Sequence, residues 1–200
     1  ARKLAMIWNM YDFFTMYAEV DEFTFPYDTV SSDAFLVHRI TDTAHSDPPE
    51  SLPRTRTENS FQISVDINKL SNPLDRWIVS RVHQLTDHVA KFMNQYNIPD
   101  ALSAVIPFID DASNWYVRRS RRRFWKSEDD ADKAQAYQTL HYVLVRLSLV
   151  LAPFTPFLAE ELYQHLTGGE SVHLLDWPTD NPVDERVLAD MRRTRELIAG

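Results

Sequence analysis

The sequence contains no cysteine, which excludes a disulfide framework and a cysteine-ligated zinc site within its 200 residues. Glycine is almost as scarce, at 3 residues against 11 prolines, and Gly168 and Gly169 are adjacent. Neither a Walker-type phosphate loop nor a dinucleotide fingerprint can be built from so few. No uncharged apolar run reaches the ~18 residues of a membrane span, and the N-terminus lacks the order of a secretory signal. A soluble, cytoplasmic protein is expected. The seven histidines, among them His83, His88, His141, His165 and His173, include no H-E-x-x-H motif and no i, i+4 pair, so no metal site is expected. Glu160 and Glu161 are neighbours on a predicted helix and point to different faces, unlike an acid and base sharing one substrate. Ser120 has no histidine close in sequence to activate it. The expectation is therefore a chain with no catalytic residue, no cofactor site and no metal site of its own.

What is present is enough apolar material, 44% of the residues, to bury one core. Its three- and four-residue spacing predicts an all-α fold. Leu4, Ile7, Trp8, Tyr11, Phe14 and Ala18 place a first helix over residues 2–20. Between 21 and 71 the helical period is lost amid Pro26, Pro48, Pro49 and Pro53, and two runs, Ala34 to Ile40 and Ser60 to Ile67, alternate as short strands would. Asn72, Pro73 and Asp75 then supply a cap, a first-position proline and a first-turn acid. The helix they open carries Leu74, Trp77, Ile78, Arg81, Val82, Leu85, Val89, Phe92, Met93 and Tyr96 on one stripe, with Trp77 and Phe92 read as core. A third helical stretch over 99–125 points Leu102, Val105, Phe108, Ile109, Ala112 and Tyr116 inward, with Pro107 as its kink or break. A fourth, 131–151, is apolar nearly all round at Val143 to Leu151 and should lie at the centre. Thr155 and Pro156 start a fifth, and Gly168 with Gly169 closes it. Residues 171–182 read as loop, and Val187, Leu188, Met191, Leu197 and Ile198 as a last amphipathic helix. The domain reading is one bundle over 1–200, with 21–71 as an insertion and 171–200 as the start of a C-terminal extension. A helical pattern already running at Ala1 and an apolar stripe still running near Gly200 suggest a segment of a longer chain.

Charge is the remaining signal. The formal net charge is −8, which opposes a polyanion partner at long range. Yet the run from Trp115 to Lys126, W-Y-V-R-R-S-R-R-R-F-W-K, holds Arg118, Arg119, Arg121, Arg122, Arg123 and Lys126 with no acid, so it is +6 and everything else is −14. Guanidinium groups interleaved with indoles suit phosphates and unstacked bases together. On a helix Trp115, Arg118, Arg119 and Arg122 share a face from which Arg121 and Arg123 diverge. Spacing alone leaves a second reading open, a solvated basic helix end paired with Asp110, Asp111, Glu128, Asp129 and Asp130.

Five segments, in order, resemble a known family. W-N-M-Y-D-F-F-T-M-Y-A from Trp8, N-P-L-D-R-W-I-V-S-R from Asn72, S-N-W-Y-V-R-R-S-R-R-R-F-W from Ser113, L-A-P-F-T-P-F-L-A-E-E-L-Y from Leu151 and S-V-H-L-L-D-W-P from Ser171 are similar to signatures of isoleucyl-tRNA synthetases, in the anticodon-binding helical bundle of these class I enzymes. The arginine-rich run separates that family from the valine and leucine enzymes, which remain the alternatives together with a helical protein-interaction scaffold. The resemblance implies a parent that uses ATP and Mg2+ to attach isoleucine to its tRNA, binds zinc outside this segment, and acts as a monomer. It also implies that this bundle grips the anticodon stem and loop of tRNA for isoleucine beside the parent's other domains. Trp115, Arg118, Arg119, Arg121, Arg122, Arg123, Trp125 and Lys126 are the RNA-binding candidates. H-I-G-H-type and K-M-S-K-S-type signatures are absent from this sequence. The stretch 21–71 is longer than the connection the family usually has there, and its composition favours a decoration on the bundle.

Overall fold

The computed structural model describes residues 2–23, 34–39, 61–126 and 129–199. The described residues fold as an all-α bundle with one small β-ribbon. Helix α1, Arg2–Val20, buries Ile7, Met10, Phe13, Phe14 and Ala18. Leu4 and Trp8, expected on that face, lie at its edge, each 37% exposed. Strands β1, Phe35–Arg39, and β2, Phe61–Val65, pair antiparallel in the register Phe35↔Val65 to Arg39↔Phe61. Phe35 and Ile63 are buried, and the Phe35 ring lies 5.7 Å from that of Tyr142, so the ribbon packs on the bundle. The proline-bearing connection between the strands lies outside the described residues.

Helix α2, Pro73–Met93, starts as its sequence predicts: Asn72 Oδ1 accepts from Leu74 N at 3.0 Å, and Pro73 occupies the first turn. It ends before Tyr96, whose φ of +57° and near-complete exposure take it off the apolar stripe. Phe92 is half-buried at the rim, while Trp77 belongs to the core as expected. The third helical stretch is four pieces: α3, Ile98–Ser103; α4, Val105–Asp110; a π-helical segment, Asp111–Val117; and α5, Arg118–Trp125. The break falls at Ala104, and Pro107 sits in the first turn of α4, where a missing N–H removes no helical bond. Leu102 is exposed, because α3 turns its neighbour Ala101 into the core instead. Helix α6, Asp130–Leu151, is enclosed as its composition requires, with Tyr137 and every residue from Thr139 to Ser148 buried. Helix α7, Pro156–Thr167, closes at Gly168 with φ +66°. Thr155 precedes α7 without capping it; its hydroxyl turns back to the Leu151 carbonyl. A 3-10 turn at Val172–Leu174 follows, held by Glu160, which accepts from Ser171 Oγ and Val172 N. Helix α8, Glu185–Ala199, returns to α2 and buries Leu188, leaving Leu197 and Ile198 exposed.

Polar links run through this core. His83 Nδ1 donates to the Pro182 carbonyl at 2.5 Å, which leaves Nε2 to accept from Tyr142 Oη at 2.6 Å, and Tyr142 Oη accepts in turn from Arg146 Nη2 at 2.8 Å. One neutral imidazole thereby joins α2, α6 and the segment before α8. Burial pushes both His83 and His141 down to about 4, so each is uncharged in the folded protein at neutral pH.

Candidate nucleic-acid interface

The basic run spans the end of the π-helical segment and all of α5. A π turn carries one residue more than an α turn. Within the segment Asp111 and Ala112, and then Tyr116 and Val117, are buried. From Tyr116 the buried stripe continues through Ser120 and Phe124, and the opposite side of α5 faces solvent.

Arg118, Arg119, Arg121, Arg122 and Lys126 are all exposed. Among the described residues none of them makes an ion pair. Asp110 is taken by Lys3 at 2.5 Å, and Asp111 by Arg81 at 3.0 Å and Arg195 at 2.6 Å. Asp129 accepts from the backbone N–H groups of Ala131 and Asp132 at the start of α6. Glu128 lies outside the described residues. Arg121 leans toward the Phe13 ring on α1, at 5.8 Å.

Arg123, grouped above with the RNA-binding candidates, is turned inward. Its Nη1 and Nη2 form a two-pronged bond with the carboxylate of Asp75 at 2.7 and 2.8 Å, and Nε and Nη2 meet Asp132 at 2.8 and 2.7 Å. Asp75 is fully buried and also accepts from Tyr116 Oη at 2.8 Å. Desolvation works against the Arg123 charge, but the two carboxylates outweigh it and hold its proton more tightly than usual. Burial likewise opposes the charge on Asp132, and Arg123 nevertheless keeps that carboxyl below its ordinary range. The physical reason for the correction is seven-residue spacing from Tyr116, which puts Arg123 on the buried stripe opposite two acids from α2 and α6. Asp75, read from sequence as a dipole-complementing first-turn acid, is the centre of this cluster.

The indoles also divide. Trp125 is 75% exposed at the end of α5. Trp115 is half-buried: its Nε1 donates to Met191 Sδ at 3.2 Å, the Arg119 guanidinium lies 3.7 Å from its ring centre, and that of Arg195 lies 5.0 Å away. Trp115 therefore shares its surroundings between α5 and α8. The sequence reading placed Arg81 on the α2 stripe and named Asp111 as a possible partner of the basic run, but missed Arg195; the signal available was the run M-R-R-T-R from Met191, which places a second basic segment on the last helix.

A helical bundle that presents exposed arginines without carboxylate partners on the solvent side of one helix has a surface suited to a polyanion. The comparisons with known proteins give the family. The model of the family described as "Anticodon-binding domain of tRNA ligase" matches residues 75–199, and the chain belongs to that family. Similar proteins include an isoleucine–tRNA ligase of Dehalococcoides mccartyi, 42% identical over 200 residues, covering 97% of this chain and 16% of the relative. One of Chlamydia trachomatis is 47% identical over 133 residues, covering 63% of this chain and 13% of the relative, and one of Clostridium acetobutylicum is 37% identical over 203 residues, covering 98% and 16%. The chain thus spans about one sixth of the length of the relatives it matches. The Dehalococcoides and Clostridium alignments run through residues 21–71, so that stretch has a counterpart in the relatives' alignments.

Proposed function

We propose that this chain is the part of an isoleucine–tRNA ligase that holds the anticodon stem and loop of tRNA for isoleucine. In this reading Arg118, Arg119, Arg121, Arg122 and Lys126 meet backbone phosphates, and Trp125 stacks on an unpaired base. Trp115 carries Arg119 on its ring, and Arg123 anchors the helix from below. Joining isoleucine to tRNA with ATP and Mg2+, and any zinc the parent holds, belong to its other domains. The protein acts in the cytoplasm as a monomer.

The observation that carries this is the contrast inside α5: one arginine is neutralised twice over by Asp75 and Asp132, while four others are exposed without a carboxylate on a chain of net charge −8. Unpaired surface cations have little to offer the fold. They are well placed for a folded polyanion, which releases its condensed counterions on contact. The shared name of the relatives favours isoleucine over valine or leucine.

The test is binding of isoleucine- and valine-type transcripts by the native chain and by an Arg118→Gln/Arg122→Gln variant. The expected result is preference for the isoleucine transcript and, in the variant, affinity at 50 mM salt lower by roughly tenfold or more. Unchanged affinity in the variant contradicts the proposal and turns attention to a protein-interaction scaffold.

A further inference from the structure

The wall between Trp115 and the last helix encloses a cleft of about 630 Å³, bounded by α2, the π-helical segment and α8. That is within the range of roughly 300–1,000 Å³ typical of sites for small organic ligands. Its polar side is formed by Arg81, Gln84, Arg192 and Arg195, and its apolar side by Trp115 and Met191. The charge balance is unusual for an acidic chain. Asp111, buried at the floor, accepts from Arg81 Nε and Arg195 Nη1, so one carboxylate serves two guanidinium groups. Arg192 is exposed and makes no ion pair among the described residues, and Glu196 is the only other acid on the lining. Three arginines against two carboxylates leave the cleft positive.

The hydrogen bonds also orient what remains. Gln84 Oε1 accepts from Arg81 Nη1 at 2.8 Å, which directs its amide nitrogen away from that contact as a donor; no partner for it occurs among the described residues. Trp115 and Met191 are tied to each other through the indole N–H, giving a flat, fixed apolar wall beside cations. An amide donor, an indole wall and arginines around a cleft of this size match a base and its phosphate together. A bare phosphate would use only the arginines. Arg119 of α5 does not line the cleft but lies on the ring of Trp115, which does.

We propose that this cleft takes one unstacked nucleotide of the bound RNA, its phosphate on Arg192 and Arg195 and its base against Trp115 and Met191 with the Gln84 amide on its edge. The inference rests on the RNA-binding reading above and extends the contact surface from α5 to α8.

The experiment measures tRNA affinity at several salt concentrations for the native chain, for Arg192→Gln, for Gln84→Ala and for Arg118→Gln/Arg122→Gln, with circular dichroism confirming each fold. Arg192→Gln is expected to weaken binding and to flatten the slope of log K against log salt by about 0.7, the share of one phosphate contact on a single strand. Gln84→Ala is expected to weaken binding roughly 3- to 10-fold with the slope unchanged, as loss of an uncharged hydrogen bond requires. If the α5 double variant loses affinity while Gln84→Ala and Arg192→Gln do not, the cleft proposal is overturned and the RNA-binding reading stands. A loss confined to Arg192→Gln overturns it too, since a general positive field then suffices. If no variant weakens binding, the underlying reading itself has failed.

Discussion

Arg123 and its neighbours carry opposite duties on one short helix. Removing the Arg123 guanidinium leaves Asp75 fully buried with a charge and only Tyr116 to face it, a situation that costs about 3–5 kcal/mol. Arg123→Met should lower the urea midpoint accordingly, whereas Arg118→Gln, at an exposed position without an ion pair, should change stability by no more than about 0.5 kcal/mol. Equal effects would contradict the division of α5 into an anchoring and a presenting side. The two buried histidines give a second prediction. Their folded values, about 4, lie below the ordinary 6.5, so the unfolded chain takes up protons first as pH falls. Stability is fully present above pH ~6.5 and is lost progressively from there down to about 4, by up to roughly 3 kcal/mol for each histidine. Urea titrations at pH 7.5 and 5 check this, and a His141→Asn variant should show a shallower dependence than the native chain. The inward turn of Arg123 was legible in principle, because Tyr116, Ser120 and Phe124 define the stripe on which it falls. Its partners were not, since Asp75 and Asp132 lie 48 and 9 residues away and nothing in their local pattern distinguishes a buried acid from a capping one.

At the level of elements, the long periodic helices were readable and the short ones were not. Helices α1, α6 and α7 begin and end within a residue or two of their expected limits, and α2 starts at its cap and proline but stops three residues short of Tyr96. The division of 98–125 into four pieces escaped the pattern because α3 and α4 have six residues each, too few to show a period, and a π turn is set by packing rather than by a residue type. The close of α7 is a case where the local rule is sufficient. Gly168 has φ +66° with open space around it, so Gly168→Ala meets only backbone strain, about 1 kcal/mol or a few degrees in Tm. At Gly169 an added Cβ would stand 2.6 Å from Tyr163 Oη, and Tyr163 is buried, so Gly169→Ala should cost more than Gly168→Ala despite needing no left-handed backbone. Thermal unfolding of the two variants reads the difference directly. The reverse order would mean that the Tyr163 ring yields easily, which its complete burial argues against.

For the molecule as a whole, the distribution of charge matters more than its total. On the proposed reading, an acidic body opposes RNA at long range and leaves docking to the place where unpaired cations are concentrated, on α5. No described helix is long and apolar enough to cross a membrane. Five exposed cations on and just after α5 set the scale of the electrostatic contribution: a slope of log K against log salt of about −3.5 if all meet single-stranded phosphates, with any contact from α8 adding to it. That slope, measured with the isoleucine transcript between 50 and 300 mM salt, reads the contact between α5 and phosphate. A value between about −2 and −5 is expected; binding indifferent to salt would mean that the arginines facing solvent on α5 do not meet phosphate.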